Sequence, residues 1–443
     1  MRRRNNPILT LLIVLFCLVL LALAGYMLVQ VLPQKAPQEV TTIETNSVFE
    51  SDGQTVEPDR EQAYEGELPS GVDTTPEPEP DTPSAPDTPE APSEDGLISA
   101  DADKRARETL ASMTEDEKIW QLFYVTPELL TGVETATRAG DSTKEALEAM
   151  PVGGIIYFAK NLEDRAQSVE MLSNTKSYAK IPLFLGTDEE GGTVSRVGAN
   201  AAMDAVQTPS LQSLGEQADP AAVYQAGQDI AGSLHAIGFN MDFAPDADVN
   251  TNPDNPIIGT RAFSSDAATA AEMAAAAADG LRTGGILPTL KHFPGHGDTA
   301  EDSHTALAVT YKTLDELQAC ELLPFAADTG LHAVMVGHIA APNVTGDDTP
   351  ATLSPQLVAL IPDAENTLIV TDSLAMDAIT AAYTPGEAAV QALQAGCDVL
   401  LMPNSLPEAY AAVLEAVQNG TISEERLDRS VNKILLYKQQ FAS

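Results

Sequence analysis

The amino-acid sequence predicts an α/β fold, a single (β/α)8 TIM-like barrel, over residues 101–443. Eight short apolar runs, rich in β-branched and aromatic residues, recur along that part of the chain. Longer Ala-, Leu- and Glu-rich stretches of helical character separate them. Carboxylates, histidines and a lysine stand where the runs end. The first two observations predict the architecture, and the third marks its working face.

The runs cover residues 122–125, 154–158, 183–186, 241–243, 288–292, 333–337, 368–371 and 398–402. Strands buried on both faces read as continuous apolar segments rather than alternating ones, which is the mark of a parallel sheet. Helices are expected over 221–236, 267–282 and 314–329, with a final one through 430–438. Strand–helix alternation implies parallel pairing, and eight units suffice to close a barrel. An open doubly wound sheet is the alternative. It would carry a Gly-rich phosphate turn after its first strand, and none follows residue 125.

The residues before the barrel divide in two. Arg2, Arg3 and Arg4 precede an apolar stretch over 7–32, with no charge between Arg4 and Lys35. About 20 apolar residues cross a bilayer core, and basic residues stay cytoplasmic, so residues 1–32 read as a membrane anchor with the remainder outside. A signal peptide cleaved near Ala24, after Ala22-Leu23-Ala24, is the alternative. Cys17 follows the bulky Phe16, so it reads as an ordinary membrane residue rather than a lipidated one. Residues 33–100 hold 17 acidic and two basic residues among repeated Pro, Thr and Ser. Such a segment buries too little apolar surface to offset its ordering entropy, and reads as a disordered acidic tether.

The formal net charge of −41 leaves about −29 on the folded part. A body that acidic argues against nucleic-acid partners and against adhesion to anionic lipid. Beyond Cys17 only Cys320 and Cys397 remain, too few for a disulfide framework or a zinc motif, although one pairing between them stays open.

The third run leads into Thr187-Asp188-Glu189-Glu190-Gly191-Gly192, and the fourth into Asp246 and Asp248. The fifth carries Lys291 and His292, the sixth meets His338, and the seventh meets Asp372. A lone strand-end carboxylate is often a helix cap. Five strand ends converging with polar residues match the C-terminal face on which barrel enzymes build their sites. After the fifth run the chain breaks into Gly, Pro, Asp and Ser up to Asp302-Ser303-His304, which makes an exposed loop. On an extended backbone Asp302 and His304 face the same side. A carboxylate beside an imidazole fixes its tautomer and raises its pKa, which suits a proton donor near neutral pH. The spacing alone leaves a local Asp–His contact and a catalytic dyad both open.

The string KHFPGHG-x4-DSH at 291–304 resembles, over its full length, the signature of the glycoside hydrolase family 3 β-N-acetylglucosaminidases. DEEGGTVSR at 188–196, DFAPDADVNTNPDNPIIGTRAF at 242–263 and IVTDSLAMDAI at 369–379 resemble the same family in the same order. The resemblance runs from about residue 106 to about residue 437. It implies that Asp372 is the nucleophile of a retaining glycosidase, that His304 is the acid/base, and that Asp302 orients His304. It implies further that Asp188, Arg196, Arg261, Lys291 and His292 hold the sugar. His296 is expected to shape its loop, and His235 and His332 to be structural; His338 is unassigned. Many members of the family carry a second α/β domain, whereas this chain ends at Ser443, so the single-domain type is expected.

The resemblance implies an exo-acting β-N-acetylglucosaminidase that releases terminal GlcNAc, with no cofactor and no metal, and the expected place outside the membrane makes the ends of muropeptides or chitooligosaccharides its expected substrates. Four alternatives stay open. A β-glucosidase or a phosphorylase would use the same barrel. A metal-dependent hydrolase would draw on His292, His296, Asp298, Asp302 and His304, whose spacing puts no histidine pair on one strand or helix. A non-catalytic wall-binding protein would tolerate loss of Asp372 or the dyad.

Overall fold

The computed structural model describes residues 99–300, 306–328 and 330–442. The anchor expected over 1–32 and the tether through residue 98 lie outside them. Among the described residues no helix is long and apolar enough to cross a membrane.

Among the described residues the first helix is Ala100–Ser112, which Ser99 caps by accepting the Ala102 N–H. Thr114 and Glu117 form a reciprocal capping box on the next helix, Glu115–Gln121. Eight parallel strands follow: β1 (Phe123–Val125), β2 (Gly154–Ile156), β3 (Phe184–Thr187), β4 (Met241–Asp242), β5 (Leu287–Phe293), β6 (Ala333–Val336), β7 (Leu368–Thr371) and β8 (Leu400–Leu401). Each pairs with its sequence neighbour, and β8 pairs with β1. A parallel bridge between Val370 and Val399 joins β7 to the entrance of β8, which closes the ring. All eight expected runs contain a strand, and the barrel predicted from them is the fold observed.

Continuous apolar burial explains why the runs were readable. Leu290, Val334, Val336, Leu368, Val370 and Leu400 are wholly buried between the barrel interior and the surrounding helices. The helices Pro220–Ile237 and Ala267–Thr283 match expectation to within a residue at either end. They pack backbone to backbone, because a Cβ on Gly280 would sit 2.2 Å from the Tyr224 carbonyl oxygen.

The helix expected over 314–329 is instead two, Leu314–Ala319 and Leu323–Ala327. Pro324 has no N–H, and its ring needs the space that the Cys320 carbonyl would occupy in a continuous helix. The break turns Glu321 inward, where it is buried and paired with Lys312. Cys320 and Cys397 both carry free thiols, so the pairing left open by the sequence does not form.

Candidate active site

The C-terminal ends of β3, β5 and β7, with Arg261 from the long segment after β4, deliver polar residues to one cavity of about 320 Å³. That lies near the lower end of the roughly 300–1,000 Å³ typical of small-molecule sites. Asp188, Arg196, Arg261, Lys291, His292 and Asp372 all line it, as do Glu190 and His296. Ile156, Phe158, Met335 and Leu401 add apolar wall. Every sugar-binding residue expected from the sequence is therefore at the cavity, together with the expected nucleophile. Asp302 and His304 lie outside the described residues.

The segment after β3 divides its two glutamates between opposite tasks. Glu189 is spent on the backbone: its carboxylate accepts the N–H groups of Arg196 (2.7 Å), Val197 (2.7 Å) and Gly198 (3.2 Å), together with the Ser195 hydroxyl. That cage sets the loop from which Arg196 projects. The Nε of Arg196 is buried without a hydrogen-bond partner among the described residues, so a cavity ligand is its available acceptor.

Glu190 points the other way and makes a two-pronged pair with Arg261, both bonds 2.8 Å. Its Oε1 is also 2.7 Å from the Lys291 ammonium, which donates to Asp188 at 3.0 Å. Arg261 extends to Asp246 at 3.4 Å. The wall thus alternates in sign from Asp188 through Lys291, Glu190 and Arg261 to Asp246. Burial by itself would raise the Glu190 pKa, but the charges of Lys291 and Arg261 outweigh it and draw the group down to about 2. Glu190 is ionised at any working pH.

Lys291 and His292 are consecutive, yet both reach the cavity. In a regular strand they would point to opposite faces. The pairing of β5 with β6 shifts register between Leu290 and Phe293, and that irregularity allows both inward. Asp248 holds the histidine, with its Oδ2 2.8 Å from His292 Nδ1. It also accepts the backbone N–H of His296 at 2.6 Å. Burial, helped by the nearby Arg261 charge, lowers the His292 pKa to about 3, so the ring is neutral despite two carboxylates beside it. The proton lies on Nδ1 facing Asp248, and Nε2, 3.4 Å from Arg261, keeps its lone pair.

His296 does more than shape its loop. Its Nδ1 meets the Thr299 hydroxyl at 2.6 Å, its carbonyl accepts from Asn255 at 2.8 Å, and its ring lines the cavity 5.9 Å from that of His292. His332 is structural as expected, bonded to the Gly330 carbonyl and Asp328. Asp372 donates its backbone N–H to Val336, and its Oδ1 accepts the Ser373 N–H at 2.7 Å. Thr310 donates to Asp298 at 2.7 Å, joining the two ends from which the 299–309 segment departs and returns.

Sequence reasoning noted Glu190, Asp246 and Asp248 at strand ends without assigning them to the site. Their spacing two apart after β4 was the available signal for the aspartates. Asp246, Asp248 and His292 present oxygen and nitrogen atoms within 4.8 Å of one another, the one such group among the described residues. The Arg261 guanidinium lies 3.4 Å from Asp246 and from His292 Nε2, and already supplies positive charge there.

Asp246 has a consequence for stability. Burial, and next the charge of Asp248, raise its pKa to about 7. Unfolded, it would release its proton near pH 4, at about 3.9. Between those values the folded state binds the extra proton, so this group's contribution to stability falls as pH rises from about 4 to 7. Asp246→Asn, which has no proton to lose, should flatten that dependence and gain relative stability near pH 7. Denaturant midpoints at pH 5 and pH 7 measure this; an unchanged slope in the variant contradicts it.

The model of the "Glycosyl hydrolase family 3 N terminal domain" matches residues 114–436. Over 326 residues the chain is 31% identical to "Beta-hexosaminidase A" of Pseudoalteromonas piscicida, covering 66% of this chain and 54% of that protein. It is 35% identical over 273 residues to "Beta-hexosaminidase LpqI" of Mycobacterium tuberculosis, covering 58% and 68%. The solved structure of a glycoside hydrolase family 3 β-N-acetylglucosaminidase from Paenibacillus sp. str. FPU-7 superposes with a TM-score of 0.70 at 37% identity, covering 75% of this chain and 63% of that one. The chain thus spans little more than half of the Pseudoalteromonas protein.

Proposed function

The chain belongs to glycosyl hydrolase family 3, and on that footing we propose that it is a retaining exo-β-N-acetylglucosaminidase. It releases terminal GlcNAc from cell-wall muropeptides or chitooligosaccharides through a covalent glycosyl-enzyme. The observation that carries this reading is the position of Asp372. Asp372 lines the same cavity as the alternating wall of Asp188, Lys291, Glu190 and Arg261. Such fixed charges suit a sugar, because charge-assisted hydrogen bonds to neighbouring hydroxyls lock the ring for in-line attack.

Asp372 attacks the anomeric carbon and holds the sugar as an ester. His304, oriented by Asp302, protonates the departing oxygen and then takes a proton from the incoming water. His292, neutral and with Nε2 3.4 Å from the Arg261 guanidinium, helps to hold the sugar beside it. Arg196, whose Nε has no hydrogen-bond partner among the described residues, gives that N–H to a substrate oxygen.

Turnover of aryl β-GlcNAc and aryl β-glucoside by the purified protein tests the reading. A strong preference for the GlcNAc substrate is expected. Preference for the glucoside would replace the assignment with a β-glucosidase, and release of sugar 1-phosphate in phosphate buffer would make it a phosphorylase.

The arginines before the 7–32 stretch support a cytoplasmic N-terminus with the barrel outside the membrane. The intact protein should sediment with membranes, and protease added to whole cells should release the barrel by cutting between residues 33 and 98. A barrel protected until the cells are lysed contradicts this topology.

A further inference from the structure

His338 follows β6 and has no part in the chemistry proposed above. It is wholly buried and is not among the residues that line the cavity. Both ring nitrogens are nevertheless committed. Nε2 lies 2.9 Å from the Ser373 carbonyl oxygen, and Nδ1 lies 2.8 Å from the Thr352 hydroxyl. A carbonyl can only accept, so Nε2 carries a proton and donates it. The Thr352 hydroxyl is within 3.0 Å of the Val336 carbonyl and 2.9 Å of that of Gly337, the strand end from which His338 projects. The ring is thereby tied to the barrel on one side and to the turn after β7 on the other.

That turn bears Asp372. Ser373, whose carbonyl the imidazole holds, gives its own N–H to Asp372 Oδ1 at 2.7 Å. Asp372 in turn gives its N–H to Val336 at 2.9 Å. A continuous hydrogen-bonded path therefore runs from Thr352 through His338 and Ser373 to one oxygen of the carboxylate. Without the ring, the Ser373 carbonyl is left with the Met376 N–H at 3.1 Å, and the Ser373–Leu374 peptide loses one of its ties to the barrel, the Leu374 N–H to the Leu401 carbonyl at 2.9 Å being another. A shift of that peptide carries Ser373 with it and loosens the N–H that holds Oδ1.

We propose that His338 is a positioning residue for Asp372, fixing the turn after β7 so that the carboxylate keeps the rotamer from which it attacks. The inference rests on Asp372 being the nucleophile. Its signature is selective: the attacking step slows, whereas the sugar is still held by the β3–β5 wall, so binding is spared. A histidine that merely filled the core would change stability, kcat and KM together.

Three variants of the full chain separate these roles. His338→Leu removes both bonds, His338→Gln retains an N–H donor near Nε2, and Thr352→Val frees the ring with little change of shape. Thermal midpoints, the pre-steady-state rate of glycosyl-enzyme formation from an activated aryl β-GlcNAc, and the substrate dissociation constant from the concentration dependence of that rate are the readouts. His338→Leu should slow that rate by about a hundredfold, the cost of a misplacement of about 1 Å. The dissociation constant should stay within about a factor of two, since ground-state contacts are untouched. His338→Gln should recover most of the rate, and Thr352→Val should fall between.

A folded His338→Leu protein with an unchanged rate overturns the inference. So does an equal loss in the Leu and Gln variants with the dissociation constant rising in step. If His338→Leu does not fold, Thr352→Val decides, and a wild-type rate there overturns it. Asp372→Asn runs alongside. Near-normal turnover by that protein defeats the nucleophile assignment and this inference with it, whereas an inert Asp372→Asn beside a fully active His338→Leu defeats this inference alone.

Discussion

Asp372→Asn is expected to fold like the parent and to lose kcat on the order of 10⁴-fold or more, as enzymes do when a nucleophile is removed. The carboxamide matches the carboxylate in shape, and Oδ1 can still accept the Ser373 N–H. What disappears is the negative oxygen that forms the bond to the anomeric carbon. No ester can then build up, so a burst should be absent even with an activated aryl leaving group. Substrate should still bind, because Lys291, Asp188, Glu190 and Arg261 are unaffected. A folded variant with near-normal turnover would move the nucleophile to another residue.

His304→Ala should fail differently. An acid matters most when the leaving group is poor and little when it departs as a stable anion. Hydrolysis of natural disaccharides should therefore fall by roughly 10²–10⁴-fold, the span of general acid–base catalysis, while glycosylation from an activated aryl glycoside is largely retained. Breakdown of the glycosyl-enzyme then limits turnover, because the base for water has gone as well. A pre-steady-state burst should appear, and azide, which needs no deprotonation, should restore turnover. Asp302→Ala should follow the same pattern more weakly, with a lower acidic limb in the pH profile once the imidazolium loses its partner. Equal slowing of natural and activated substrates, with no response to azide, would make His304 a binding residue.

The two predictions draw on different amounts of structure. Asp372 was legible because β7 is a pure apolar run that stops at a carboxylate, and strand and residue stand as that pattern implies. Asp302 and His304 rest on the sequence signature alone. The barrel was legible because its strands are buried on both faces, which writes itself as short, mostly apolar runs such as Phe123–Val125, Gly154–Ile156 and Leu368–Thr371. The helix misread over 314–329 shows the limit of apolar spacing, since Leu317, Leu322 and Phe325 are all buried on both sides of the break. Pro324 carried the correcting signal. Glu190 and Asp246 went unassigned for another reason: Glu190 meets Lys291 of β5 and Arg261 of the turn Gly259–Arg261, Asp246 meets the same Arg261, and no linear spacing reports such ion pairs. The register shift that lets Lys291 and His292 share a cavity is equally silent in sequence.

The alternating wall from Asp188 to Asp246 also bears on how the protein tolerates salinity. Its surface is strongly acidic, and exposed charges are screened over about 10 Å in 0.1 M salt and about 3 Å in 1 M salt. Encounter with any charged substrate should therefore vary with the medium. Lys291, Glu190, Arg261 and Asp246 are removed from solvent, with side-chain exposures of 4%, 1%, 13% and 0%. Salt screens pairs this deeply buried much less than exposed ones. The grip on a neutral sugar ring should be nearly the same in dilute and in concentrated brine, even where the outer surface has lost most of its field.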